Sequence, residues 1–521
     1  MRPIIQHEKI KQIYPITCLF MKEDFLEQAG DNFLDFIKIS IQKNLLPTFL
    51  SDLSFCEFTK FQVSNYSEQI PAESINYLLN SSLELVKTKW KISPLFYSKD
   101  LLNISISNGE EWILIWKNYK GLVNIKKATD SELLAIKLIA EDMDFEIVSE
   151  DMGISVYQIK KILKDAMDLN IIIGPHSNIK RDKSIFSDEI EIKDEFIYSN
   201  FFSIQWHITN ACDLKCKHCY DRTKRSNLSL EQGYKIIDDL VEFCVTKNVK
   251  GHVCFTGGNP FLSKDFFEFY QYATDQGFTT SILGNPVSKD LLEKLFNIQK
   301  PQYFQVSLEG LREHNDFIRG EDHFDNVMGF LDVLKKFDCS SAVMLTLTKE
   351  NIDQVLNLAE ILKHKADHFT FNRLSMVGEG ANLYLPSKEE YKAFLNKYID
   401  AVSNEYQNLG FKDNLINIEL RNKGLQLFDG CTGFGCGAAF NFVAVLPDGE
   451  AHACRKFPSK IGNVFENSIK EIYDSELANK YRKGFESCNK CIIRHVCGGC
   501  LSTAYNSEQD ITEGRDPYCF Y

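Results

Sequence analysis

The sequence predicts an α/β protein built on a parallel sheet of six strands, with helical and winged-helix segments before it and a cysteine-rich segment after it. Three observations lead there. From Ser203 onward, β-rich runs (204–209, 253–256, 279–283, 303–308, 342–347, 368–372) alternate with helical ones (230–246, 265–276, 288–297, 352–363). Ahead of them, a short strand pair precedes three helical patterns, and eleven of the sixteen cysteines fall in two sets, Cys212 to Cys219 and Cys431 to Cys519. Strand–helix alternation implies right-handed crossovers and a parallel sheet, whose ligands bind at the carboxyl ends of the strands.

At 521 residues the chain exceeds one ordinary core, so two to four domains are expected. Hydrophobic residues make up 44% and charged residues 25%, which excludes a disordered or fibrous chain. No apolar run is long enough to span a bilayer, and residues 1–16 lack a signal-peptide core, so no membrane partner and a cytoplasmic location are expected. A net charge of −13 argues against a nucleic-acid partner. Sixteen cysteines without a secretory signal point to metal or redox chemistry rather than disulfides. Cys18, Cys56, Cys244, Cys254 and Cys339, scattered singly, read as small buried hydrophobes.

Residues 1–98 show amphipathic helical patterns, such as Phe25, Phe33, Phe36, Ile37 and Ile41, and no motif that carries chemistry. In the next domain, 99–176, runs 112–116 and 122–125 form a strand pair through 118–121. Thr129 and Glu132 then have capping-box spacing, Gly153 and Ser155 separate a second helix from a third, and the third carries Ile159, Ile162, Leu163 and Met167. A hairpin plus three helices is a winged-helix pattern, which DNA-binding modules share. Between 129 and 176, however, four Lys and no Arg face ten Asp plus Glu, and phosphates would be repelled. The pattern resembles the RiPP recognition element, a winged-helix domain of enzymes that modify ribosomally made peptides. That resemblance implies a precursor peptide as partner, its leader added as a strand to the hairpin edge against the third helix. The helical stripe serves equally well as the domain's own core. Residues 177–200, polar and charged after Gly174-Pro175, read as a linker.

Directly after the first strand of the 201–400 segment comes Cys212-Asp213-Leu214-Lys215-Cys216-Lys217-His218-Cys219. Three thiolates leave one iron of a [4Fe–4S] cluster without a protein ligand, whereas a zinc site with His218 as fourth ligand is the competing reading. With Thr256-Gly257-Gly258-Asn259-Pro260 after the second strand, this loop resembles the radical S-adenosylmethionine (SAM) superfamily. The resemblance implies a partial (β/α)6 barrel in which SAM chelates the open iron and is cleaved to a 5′-deoxyadenosyl radical. It also implies SAM contacts: Gly257 and Gly258 admit backbone to the methionine amine, Asn259 stands where the family usually has Glu but keeps an acceptor oxygen, His218 lies beside the adenine, Ser307 at the ribose, and Arg319 and Arg373 near the carboxylate.

In the last segment, 401–521, the cysteines run Cys431-x4-Cys436-x17-Cys454, Cys488-x2-Cys491-x5-Cys497-x2-Cys500 and Cys519, enough for two complete [4Fe–4S] clusters or for zinc ribbons. The spacing resembles the SPASM domain. By that resemblance Cys431, Cys436, Cys454 and Cys500 hold one auxiliary cluster and Cys488, Cys491, Cys497 and Cys519 the other. Only Gly498-Gly499 separates Cys497 from Cys500, one residue fewer than is common. The resemblance implies three [4Fe–4S] clusters, SAM, an electron donor such as flavodoxin or ferredoxin, and a peptide maturase that forms a thioether from a Cys. Carbon–carbon cross-linking, epimerisation, sulfatase-type maturation and a non-enzymatic, cluster-bearing redox regulator are the alternatives.

Overall fold

A nine-stranded sheet, a three-stranded sheet and a short two-stranded pair organise the described residues. The computed structural model describes residues 2–26, 28–29, 32–404, 406–505 and 511–521, which fall into two units, Met1–His176 and Ser177–Tyr521.

In the first unit β1 (Leu78–Leu79) pairs with β5 (Ile172–Ile173), while β2 (Glu84–Trp90), β3 (Asn108–Lys117) and β4 (Val123–Lys127) form an antiparallel sheet in the order β2-β3-β4. The expected strand pair is β3 and β4. Asn118 closes their turn by accepting from the N–H groups of Lys120 and Leu122, and Gly121 supplies the positive φ (+81°). Helices Asp130–Ala140, Phe145–Met152 and Val156–Asp168 follow. Thr129 and Glu132 make a reciprocal capping box, as do Ser155 and Gln158, and Gly153 ends the middle helix in the left-handed region.

Both faces of this sheet are covered. Leu114 and Trp116 pack with Ala135, Leu138, Ile159 and Leu163 of the helix trio. Ile113 and Ile115, one residue out of phase, pack with Ile37, Leu50, Leu53 and Cys56 of the N-terminal helices. Residues 1–98 are therefore not wholly helical: β2 lies among them, and a boundary at 98/99 cuts through the β2–β3 ladder. Its charged Glu84, Lys87 and Lys89 obscured the strand; Val86 and Thr88 turn inward and Trp90 packs half-buried on the same core.

In the second unit β6 (Phe201–Thr209), β7 (Lys250–Gly257), β8 (Thr279–Leu283), β9 (Phe304–Ser307), β10 (Ser341–Leu347) and β11 (His368–Arg373) are parallel neighbours in sequence order, each pair joined through at least one helix. Fully buried Ile204, Trp206, Val253 and Phe255 show why these strands stay central. The sheet does not end at β6. β12 (Phe442–Val445) adds in parallel to it, and β13 (Glu450–His452) and β14 (Lys460–Asn463) continue antiparallel, so the cysteine-rich segment shares the barrel's sheet.

Residues 177–200 are no free linker. Ile179, Phe186 and Ile197 are buried, the backbone pairs Arg181 N–H to Ile197 and Ser199 N–H to Ile179, and the Arg181 guanidinium donates to carbonyls of Phe434, Cys436 and His495. The polar composition that suggested a tether conceals these widely spaced anchors. Cys56, Cys244, Cys254 and Cys339 are buried and Cys18 is half-buried. Among the described residues, no helix is long and apolar enough to cross a membrane.

Candidate active site

Strand β6 ends at Thr209, and the loop beyond it carries Cys212, Cys216 and Cys219 into a cavity of about 790 Å³ at the carboxyl ends of the strands. Gly257 and Gly258, at the end of β7, also line it. Their conformational freedom answers to packing as well as to any cofactor: a Cβ on Gly257 would lie 2.1 Å from the Thr209 carbonyl oxygen, and one on Gly258 2.2 Å from that of Ala211. The two loops are stitched by Gly258 N–H to Thr209 and Asn259 N–H to Ala211 at 2.9 and 2.8 Å. Gly378 (φ +60°) seats the opposite side, because a Cβ there would meet the Tyr220 carbonyl at 2.5 Å, and the following Glu379 N–H bonds the Cys219 carbonyl.

Ser307 lines the cavity from the end of β9, and His218 and Arg319 line it beside Cys216. The Arg319 guanidinium lies 3.7 Å from Cys216 Sγ and 3.4 Å from His218 Nε2, and it is anchored on Glu309, whose carboxylate is 2% exposed and also accepts the Thr346 N–H at 2.7 Å. Burial pushes His218 down to about 4, so the ring is neutral at pH 7, and its buried Nδ1 has no hydrogen-bond partner among the described residues. Glu309 was missed in the sequence, although it stands two residues beyond Ser307 at a strand's carboxyl end, where acidic residues merit suspicion.

Two expected SAM contacts are committed elsewhere. Arg373 reaches the cavity wall, but its Nε donates to Asp413 at 2.7 Å and its two terminal nitrogens donate to the Asp516 carboxylate at 2.9 and 2.6 Å, all essentially buried. Its charge is thus neutralised by two carboxylates that lie far away in sequence, and it ties β11 to the C-terminal segment. Asn259 is buried, and its Oδ1 accepts the Phe261 N–H at 3.3 Å to start a 3₁₀ turn, while its Nδ2 donates to Asp213 at 3.3 Å. One lone pair of the acceptor oxygen expected to receive an amine is thus engaged within the protein. Asn285 donates to the same Asp213 at 2.5 Å and to Cys212 Sγ at 3.7 Å.

Beyond the barrel, Cys431, Cys436, Cys454 and Cys500 line one small cavity of about 60 Å³. Cys500 reaches it despite the short Gly498-Gly499 link, because both glycines take left-handed φ (+74° and +67°) and Asp516 accepts the Cys500 N–H at 2.9 Å. Cys488, Cys491, Cys497 and Cys519 lie close enough for mutual electrostatic influence: Cys519 and Cys491 both act on Cys488, and Cys488 acts on Cys497. Burial pushes Cys436 up to about 12 and Cys454 and Cys488 to about 11, so a bound soft metal is what would hold them as thiolates.

The thiol spacing decides what kind of metal body fits. Tetrahedral zinc with Zn–S of about 2.3 Å needs sulfurs about 3.8 Å apart. Among the described residues, no three of these thiols come within 4.8 Å of one another. A cluster, whose irons spread the ligands apart, suits this donor set, and the partnerless His218 Nδ1 and open cavity suit a polar ligand beside it.

Residues 206–362 match the family described as the radical SAM superfamily, and residues 436–492 match an iron–sulfur cluster-binding domain, SPASM. An AdoMet-dependent heme synthase of Methanosarcina barkeri is 26% identical over 348 residues, 61% of this chain and 96% of that protein. The antilisterial bacteriocin subtilosin biosynthesis protein AlbA of Bacillus subtilis is 26% identical over 335 residues, 60% of this chain and 70% of its own. The crystal structure of Streptococcus suis SuiB bound to precursor peptide SuiA shares the fold, with a TM-score of 0.52 and 19% identity, covering 79% of this chain and 96% of that one. Cysteine motifs, strand-end cavity and family matches agree: the chain carries a radical SAM domain and a SPASM domain and is a radical SAM enzyme that uses S-adenosylmethionine and [4Fe–4S] clusters.

Proposed function

We propose that this enzyme modifies a ribosomally made precursor peptide in the cytoplasm, holding the peptide's leader on its first unit and oxidising the core peptide to form a thioether from a Cys. The observation that carries the reading is the outer edge of β4 at its Val123 end. Ala128 N–H to Trp112 and Asn118 N–H to Leu122 set the phase of the ladder, so the backbone groups of Val123, Ile125 and Lys127 point away from β3. An extended leader adds there through main-chain hydrogen bonds, beside the helix trio of the winged-helix domain. Tyr97 Oη already accepts the Lys127 N–H at 3.2 Å and donates to the Ile125 carbonyl at 3.5 Å, so the leader docks on the backbone groups of Val123 and the Ile125 N–H. The acidity of this segment supports a peptide rather than nucleic acid as its partner. AlbA and the SuiB complex, named for bacteriocin biosynthesis and a bound precursor peptide, support the same reading.

When bound, SAM and its cluster supply a 5′-deoxyadenosyl radical that removes a hydrogen atom from the peptide. This chain's own residues prepare the site. Cys212, Cys216 and Cys219 hold the cluster; Arg319, fixed by Glu309, donates toward Cys216 and keeps the loop's negative charge compensated. Gly257 and Gly258 keep the second loop flush against the first, His218 presents a neutral ring, and Ser307 offers a hydroxyl. Cys431, Cys436, Cys454 and Cys500 hold one auxiliary cluster and Cys488, Cys491, Cys497 and Cys519 the other, for three in all, reduced by an electron donor such as flavodoxin or ferredoxin.

The experiment is anaerobic co-expression with a small Cys-containing peptide encoded beside the gene, followed by mass spectrometry. A loss of two hydrogens per cross-link that requires SAM supports the reading. A change that persists without SAM, or conversion of a porphyrin as the heme synthase likeness suggests, overturns it.

A further inference from the structure

Within the second unit, away from the strand-end cavity, lies an open concavity of about 530 Å³ walled by Lys180, Arg181, Lys183, Arg482 and Lys483, with Asp182 the one carboxylate among its lining residues. Five cations in one place are unexpected on a chain of net charge −13. Among the described residues, no carboxylate lies within ion-pairing distance of Lys180 or Lys483, and Lys183 is only loosely paired with Asp194 at 3.6 Å.

The arginines show what the concavity is suited to hold. Arg181 donates to the Cys436 and His495 carbonyls at 3.1 and 3.3 Å and stacks 4.9 Å above the Phe440 ring; Arg482 donates to the Ala439 and Tyr473 carbonyls at 3.0 and 2.7 Å. Guanidinium donors spent on carbonyls do not chelate a small anion, but their charges remain and project a positive field from an open mouth. That combination steers a large acidic partner rather than trapping phosphate. The back of the concavity is also close to the metal region, since Arg181, Ile185, Arg482 and Lys483 line a narrow crevice together with Cys436 and Cys497.

We propose that this basic concavity is the docking surface for an acidic protein electron carrier, which passes one electron into the SPASM region beside Cys436 and Cys497. The inference rests on the reading of those cysteines as cluster ligands. In the step, the carrier is oxidised by one electron and a [4Fe–4S] cluster is reduced by one; no bond or proton is exchanged. Lys180 and Lys483, exposed and outside any ion pair among the described residues, set the encounter, and Arg181 bridges the concavity to the Cys436 backbone.

The test uses the cluster-loaded full chain, reduced flavodoxin as the protein carrier and dithionite as a small reductant. Iron and zinc are measured first: zinc in place of iron would sink the cluster reading itself and the inference with it. With clusters present, Lys180→Glu/Lys483→Glu should weaken binding of fluorescently labelled flavodoxin, and slow cluster bleaching by it, about tenfold. Bleaching by dithionite should be unchanged, and the wild-type rate with flavodoxin should fall between about 0.05 M and about 0.5 M salt, while the variant's stays flat. Lys264→Glu/Lys289→Glu, the same charge change at exposed positions elsewhere, should behave as wild type. If the Glu pair loses iron, Lys180→Gln/Lys483→Gln replaces it with the same expectation at smaller amplitude. Wild-type binding and bleaching in the rim variants, equal slowing by the control pair, or loss of precursor-peptide binding in place of flavodoxin binding would each overturn the proposal.

Discussion

Replacing Asp516 by Ala tests the claim that Arg373 is a structural hub rather than a ligand contact. The Arg373 and Asp516 side chains are each 1% exposed and joined by two hydrogen bonds of 2.9 and 2.6 Å, and Asp516 also accepts the N–H groups of Cys500 and Tyr518 at 2.9 and 3.0 Å. Breaking a buried pair from one side leaves an uncompensated charge, at a cost of about 3–5 kcal/mol. Asp413 still neutralises Arg373 through Nε, which offsets part of that, but two orphaned backbone donors at about 1–3 kcal/mol each push the other way. A net loss of about 3–5 kcal/mol is therefore expected, together with loss of iron, because Cys500 and Cys519 flank the broken node. Denaturant unfolding followed by circular dichroism, with iron analysis of the same sample, measures both. Arg373→Met/Asp413→Leu/Asp516→Leu, which removes all three charges of the network, should recover part of the stability. A D516A protein within about 1 kcal/mol of wild type and with full iron would refute the reasoning.

Anaerobically reconstituted protein should hold about twelve iron atoms, from three clusters of four, and two or more zinc ions with about four irons would contradict the auxiliary assignment. Replacing Cys212, Cys216 and Cys219 together by Ala should abolish 5′-deoxyadenosine formation while leaving about eight irons, since the other ligands lie beyond residue 430. Val123→Pro removes an outward-facing donor of β4, sparing the β3 ladder, and should weaken leader binding in fluorescence polarisation with an unchanged circular dichroism spectrum; unchanged affinity would place the leader elsewhere. Burial alone would raise Glu450, but hydrogen bonds from Lys460, His452 and Arg225 hold it down at about 2. A depressed carboxyl stabilises the fold above its unfolded value and loses that contribution as pH falls, so the stability gap between wild type and Glu450→Gln should shrink from about pH 5 towards pH 2, and a gap constant with pH would count against the network.

What the sequence determined by itself is what short stretches of backbone encode. Strand–helix alternation announced six parallel strands, capping-box spacing at Thr129 placed a helix start, and the cysteine spacings marked a three-thiol loop and an eight-thiol segment, because periodicity and ligand spacing act over a few residues. Tertiary structure decided the rest. β2 became a strand only by pairing with β3 across a segment of intervening chain, and 177–200 became packed structure only through carbonyls some 250 to 310 residues away. Arg373 looked like a ligand contact until Asp413 and Asp516 claimed its donors, and Asn259 shares its polar atoms with Phe261 and Asp213. A polar side chain's role depends on which partners reach it, and those partners are set by long-range packing that no local pattern records. Thiol identity was legible in the chain, but which thiols share a cavity, as Cys431, Cys436, Cys454 and Cys500 do, is settled only in three dimensions.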